Sequence, residues 1–158
     1  MRVNNTLRIF LWVLAFETVS GFLGRVAMTD VMTWYAQLQR PPLAPPNWAF
    51  PVAWTILYAL IAGAGWRIWS MPAGRERKIL LASYAAYLAL NWSWSFIFFG
   101  LHLMLLGFIW IMVMNVIALV IILRGWKTEK MAAWLMIPPL VWTSFAAYLD
   151  GAYWWLNR

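Results

Sequence analysis

Residues 79–123 read ILLASYAAYLALNWSWSFIFFGLHLMLLGFIWIMVMNVIALVIIL, and none of them is Asp, Glu, Lys or Arg. One bilayer crossing needs roughly 20 apolar residues, so this run is too long for a single span. It breaks at Gly100-Leu101-His102, which gives two helices joined by a tight turn. The flanking stretches 41–66 and 131–149 are equally free of charge. Working outward, the reading predicts spans at about 7–25, 48–69, 79–99, 103–123 and 131–155. The expected fold is all-α: a single-domain polytopic membrane protein, a bundle of five transmembrane helices with a long ordered loop between helices 1 and 2. The first span contains Glu17 and shows no small-residue cleavage site, so it reads as a retained helix and not a secretory signal.

Composition agrees. Hydrophobic residues make up 65% of the chain and charged residues 11%, far from the mix of a soluble globular domain. With five spans, one side collects Arg2, Arg8, Arg67, Arg75, Arg77, Lys78, Arg124, Lys127 and Lys130, and the other only Arg25, Arg40 and Arg158. This bias places the N-terminus in the cytoplasm of a bacterial cell membrane and the first loop outside. Basic loops so short, set beside membrane helices, weigh against nucleic acid as a partner. Cysteine is absent and His102 stands alone. No disulfide, thiolate site or metal-ligand set follows, no cofactor is expected, and His102 reads as a surface residue.

The first connection, 26–47, is long for a bundle loop. Asp30 is a candidate N-cap for a short helix over 31–39, with Trp34 and Leu38 on one face and Pro41-Pro42 as its stop. Asn47 is expected to cap the second span, with Pro51 in its first turn. Between Trp34 and Trp54 the prolines hold the backbone extended under several large rings, which reads as a lid over a membrane pocket. Pro138-Pro139, inside the fifth span, predicts a kink.

Fourteen tryptophans need a place. Trp12, Trp48, Trp66, Trp69, Trp126, Trp154 and Trp155 lie near helix ends and fit interface belts. Trp54, Trp92, Trp94, Trp110 and Trp142 lie deeper, where ordinary packing competes with a pocket. Trp54, Asn91 and Trp94 come out roughly 8–12 Å below the outer helix ends, and Trp110 and Trp142 roughly 10–20 Å, at about 1.5 Å per residue. With Trp94, Ser95 and Phe98, Asn91 makes one helical face; its amide either bridges two helices or meets a ligand. Asn115 reads as a helix bridge. Glu17 and Asp150 are intramembrane carboxylates and hence site candidates, but nothing in their spacing brings them together, and Asp150 is expected near the solvated interface. Ala82, Ala86 and the offset pair Ala85, Ala89 offer a small-residue face on helix 3, for homodimerisation or internal packing.

Three ordered motifs carry a resemblance over nearly the whole chain. They are Trp34-Tyr35 … Arg40-Pro41-Pro42 … Pro45-Pro46-Asn47-Trp48 … Pro51-Val52-Ala53-Trp54-Thr55-Ile56-Leu57-Tyr58, then Leu88-Ala89-Leu90-Asn91-Trp92-Ser93-Trp94-Ser95, then Ile137-Pro138 … Trp142. The chain resembles the tryptophan-rich sensory protein, or translocator protein, family. That resemblance implies a five-helix membrane receptor or transporter whose pocket, closed by the first loop, takes porphyrins, haem-pathway tetrapyrroles and benzodiazepine-site ligands. It assigns the pocket to Trp34, Tyr35, Pro45, Phe50, Trp54, Tyr58, Asn91, Trp94, Trp142 and Ala146. It also implies a homodimer. Two alternatives accompany it: light- and oxygen-dependent porphyrin degradation, which the resemblance assigns to Trp54 and Trp142, and a non-catalytic regulatory protein that binds a partner. A sterol-recognition pattern of animal members finds Gly151 and Trp155 at its best-aligned positions, and only a shifted match at Leu149, Tyr153 and Arg158, so cholesterol is a doubtful partner.

Overall fold

The computed structural model describes residues 5–27 and 31–158. Its long helices are α1 (Asn5–Ala27), α2 (Ala49–Trp69), α3 (Arg75–Ser95), α4 (Met104–Thr128) and α5 (Lys130–Leu156). No strand occurs among the described residues. Among them, α1 over Leu7–Val26, α2, α4 and α5 are long and apolar enough to cross a membrane. The architecture is that of an all-helical polytopic membrane protein. α3 falls short of that hydropathy because Arg75, Glu76, Arg77 and Lys78 occupy its first turn and Asn91, Ser93 and Ser95 its last.

α4 packs most extensively on α5, α3 lies on α4, and α2 lies on α5 and α1. The shared core is built from Ile61, Ile68, Leu80, Tyr87, Ile111, Met114, Ile121 and Met136, interleaved with Ala62, Ala64, Ala118, Ala132 and Ala133. Small residues set the spacing, because apolar lipid gives helices no hydrophobic reason to associate and close backbone packing takes over. A Cβ on Gly125 would sit 3.3 Å from that of Ala133, so glycine there keeps α4 and α5 together. Large apolar side chains such as Phe10, Phe22, Val116 and Val141 face outward, as a lipid-facing surface requires.

One end of the bundle is tied by charge. Arg67 reaches Glu129 at 2.8 Å, and Arg124 reaches Glu76 at 3.1 Å. Arg77 donates from Nε and Nη2 to Trp69 O at 3.1 and 2.9 Å, satisfying a carbonyl left open at the end of α2.

The opposite end carries the first connection. The short helix expected over 31–39 is present as a π-helical turn, Val31–Tyr35, that continues helically to Gln37, and the expected cap Asp30 lies outside the described residues. Trp34 and Leu38 both pack against one cluster, that of Phe98, Phe99, Leu149 and Tyr153. The Asn47 cap is corrected: α2 starts at Ala49 without a side-chain cap. The Ala49 N–H instead finds Pro46 O at 2.9 Å through the turn at Asn47-Trp48. α3 ends in a second π-helical turn, Phe96–Gly100, with Leu101 N donating to Phe96 O at 2.8 Å. The wider turn lets the adjacent rings of Phe98 and Phe99 both be buried.

Candidate functional site

Two groups of rings meet at the end covered by the first connection. In the first, Trp34 stands edge-on to Phe98 at 6.0 Å, and Tyr35 approaches Phe99 at 5.4 Å and Tyr153 at 5.0 Å. Trp94 stacks on Phe98 at 5.4 Å. Such offset and edge-to-face pairs add a little to the burial of large rings. In the second group, Trp54 lies 5.1 Å from Tyr58, which leans on Phe16, while Phe50 meets Trp142 at 6.2 Å. Phe50 also packs against the first group, so it links the two.

The expected site residues therefore divide. Trp34, Tyr35, Phe50 and Trp94 share one cluster. Tyr58 and Ala146 belong to the central core, and Trp54 and Trp142 are attached through Tyr58 and Phe50. Pro45 offers its carbonyl to Arg40 Nη2 at 2.8 Å. Asn91 is buried at 3% exposure and its Nδ2 points to Met114 Sδ at 3.6 Å, while Oδ1 is buried without a hydrogen-bond partner among the described residues. One half of the amide thus faces the neighbouring helix and the other half is available. Trp92 and Trp110 turn their indole N–H groups to Ser20 and Ser93, at 3.1 and 2.9 Å, an ordinary interhelical use. Asn115 bridges as expected, accepting from Thr143 Oγ1 at 2.6 Å.

Asp150 corrects the sequence reading. It is 4% exposed, not solvated, and its Oδ2 accepts the Trp94 indole N–H at 2.9 Å. Ala146, Asp150 and Tyr153 follow i, i+4, i+7 on α5, so the face that carries Ala146 signals the other two. His102 is exposed, as expected, yet its ring stacks on Trp34 at 4.1 Å and 13°. Tyr148 and Asn157, which pattern alone left out, hydrogen-bond to the loop backbone. Burial, and then the neighbouring Tyr153 phenol, push the Tyr35 hydroxyl far above its ordinary range, so it stays protonated.

Two open grooves lie on the outside of α4 and α5. One of about 460 Å³ runs under Pro42 between Phe108, Tyr148 and Trp155, and one of about 520 Å³ lies between His102, Ile109, Trp154 and Arg158. The ten expected site residues line neither. The Leu149 and Tyr153 positions of the shifted sterol pattern are buried in the ring cluster, at 4% and 1% exposure. Ala82, Ala85, Ala86 and Ala89 are all exposed, so this face is not used for packing within the chain.

Comparison with known proteins gives concordant matches. The family model described as TspO/MBR family matches residues 10–156. The chain is similar to a protein named Tryptophan-rich protein TspO from Archaeoglobus fulgidus, 34% identical over 97% of this chain and 99% of that one. It is similar to a Translocator protein from Ovis aries, 34% identical over 87% of this chain and 83% of the relative. A Tryptophan-rich sensory protein from Cereibacter sphaeroides is 33% identical over 88% of each.

Proposed function

Since the chain belongs to the TspO/MBR family, we propose that it is a membrane receptor of sensory or transport type that binds porphyrins and related tetrapyrroles under its first loop. A receptor or sensor role fits the names of its relatives, translocator and sensory proteins, none of which names an enzyme. The observation that carries the ligand class is the convergence of loop rings Trp34 and Tyr35 with Phe50, Trp94 and Phe98 at one end of the bundle. A flat amphiphilic macrocycle needs ring faces to stack on and a cation for its propionates. Trp54, Trp94 and Trp142 supply the faces, and Arg40 at the loop, or Arg25 at the end of α1, supplies the cation. Pro45, Tyr58 and Ala146 shape the walls, and the free Asn91 Oδ1 offers an acceptor.

In this reading α3 is the fifth crossing and the N-terminus is cytoplasmic. The exposed alanine face of α3 is where a second copy docks. A disulfide-crosslinking scan over residues 81–90 that yields no dimer would remove that last element.

The function is tested by titrating purified protein with protoporphyrin IX in the dark, following tryptophan quenching beside a Trp54→Phe, Trp142→Phe double variant. Saturable binding, weakened in the variant, is expected. Illumination of both samples separates a receptor from a light-driven porphyrin-degrading enzyme, which would release a defined product only from the wild type. No saturable binding would overturn the tetrapyrrole assignment.

A further inference from the structure

From the hydrogen bonds that join the first loop to α5, we infer that Asn157 and Tyr148 are its latch, positioning residues whose release admits ligand; the ligand half of this rests on the function proposed above. Residues 39–45 are braced internally. Ala44 N donates to Pro41 O at 3.3 Å, Arg40 Nη2 donates to Pro45 O at 2.8 Å, and Pro41, Pro42 and Pro45 each fix a backbone angle. The segment therefore moves as a plate.

Two points, Tyr148 on α5 and Asn157 at its C-cap, hold one edge of that plate. The Asn157 amide pairs with the Gln39 backbone as a neighbouring strand would: Gln39 N donates to Oδ1 at 2.8 Å, and Nδ2 donates to Gln39 O at 3.2 Å. Asn157 is itself fixed, since Nδ2 also donates to Tyr153 O at 2.8 Å. Tyr148 Oη donates to Pro42 O at 2.9 Å. The two anchors lie roughly 14 Å apart along the helix at about 1.5 Å per residue, far enough apart to stop the plate from pivoting on either one.

The location of these bonds makes them releasable. All three loop bonds are exposed, so water at the membrane surface competes for the same groups and each bond shifts the closed population by only about two- to tenfold. The preceding residues are held differently, by the buried ring contacts of Trp34 and Tyr35 with Phe98 and Phe99. Breaking the α5 edge frees the plate while Trp34 and Tyr35 stay seated, which is the arrangement of a hinge and a latch.

The test uses the full chain in lipid nanodiscs, with hydrogen exchange read over residues 36–47 and dark binding kinetics read with protoporphyrin IX. Asn157→Ala should speed exchange at Gln39 about tenfold and raise association and dissociation rates together, leaving the equilibrium constant nearly unchanged. Asn157→Asp keeps the acceptor and loses the donor, so it should fall between. Tyr148→Phe removes a single hydroxyl and keeps the test open if the Asn157 variants misfold. Unchanged exchange in Tyr148→Phe and Asn157→Ala overturns the latch; faster exchange with unchanged rates overturns its control of entry. A wild type that binds no porphyrin, yet shows latch-dependent exchange, overturns the ligand assignment and supports the latch.

Discussion

Trp94 Nε1 donates a 2.9 Å hydrogen bond to Asp150 Oδ2, joining α3 to α5 beneath the rings of the first loop. The bond sets the plane of an indole that stacks on Phe98. Asp150→Leu removes the acceptor and should cost about 1–3 kcal/mol. Asp150→Asn keeps an oxygen in place and should stay within about 1 kcal/mol of wild type. Thermal unfolding of the three proteins in one detergent decides it: equal losses in both variants would mean that the bond is not what Asp150 supplies.

Glycines on α1 and α2 should respond in opposite directions to the same change. A Cβ on Gly65 would run into the Tyr84 ring, which is pinned by its Oη donating to Ile61 O at 2.8 Å. Gly65→Ala should therefore cost about 1–3 kcal/mol through overpacking. A Cβ on Gly24 meets nothing within 4 Å, and Gly24→Ala should gain up to about 1 kcal/mol by stiffening the unfolded chain. A pair of melting temperatures with the same sign would contradict this.

The all-helical membrane class and the placement of α1, α2, α4 and α5 are legible because uncharged length is a direct physical requirement of the bilayer. Predicted ends at 48–69 and 131–155 lie within a residue of α2 and α5. Finer features were illegible for identifiable reasons. Asn47 looked like a cap, but a proline-induced turn had already supplied the carbonyl for the Ala49 N–H. Asp150 looked solvated because depth along a helix says nothing about which way a side chain faces, and it faces Trp94. Tyr148 and Asn157 act through loop backbone more than a hundred positions away, a pairing no local pattern encodes. Trp34, Tyr35 and Phe50 are legible as rings of a proline-stiffened loop and Trp94 as a deep ring on the Asn91 face of α3, and the four do share one cluster.

Leu43 occupies φ 66° at the third position of the turn from Pro41 to Ala44, where its side chain is 79% exposed. A left-handed backbone costs an L-residue roughly 1–2 kcal/mol relative to glycine, and Leu43 has little burial to offset it. Leu43→Gly should raise stability by up to about 1 kcal/mol once glycine's larger unfolded-state entropy is subtracted. Loss of stability on that change, measured by denaturant or heat, would show that the leucine is held by contacts worth more than the strain.

The Tyr35 phenol should make the protein sensitive to alkali. Burial and Tyr153 hold it protonated in the folded protein, whereas in the unfolded chain it titrates near 10.0. The folded state therefore binds the proton more tightly. Its contribution is complete below pH 10.0 and is lost as pH rises above that value. Tyr35→Phe removes this one titration, so stability measured against pH should fall less steeply above that point than in the wild type. Identical slopes would mean that the hydroxyl reaches water.

Thr143 has one hydroxyl hydrogen and three acceptors in reach: Asn115 Oδ1 at 2.6 Å, Pro139 O at 2.8 Å and Leu140 O at 3.3 Å. Thr143→Val keeps the shape and leaves Asn115 without this donor. The expected loss is about 0.6 kcal/mol, and no more than about 1.7 kcal/mol, because an unfolded chain in the membrane also finds partners for such groups. Removing both members should hurt less than the sum of the single changes, since no polar group is then left waiting for its partner. A double-mutant cycle of Thr143→Val with Asn115→Leu, read by unfolding in one detergent, measures the coupling directly. Strict additivity would mean that α4 and α5 are joined at this level by packing alone.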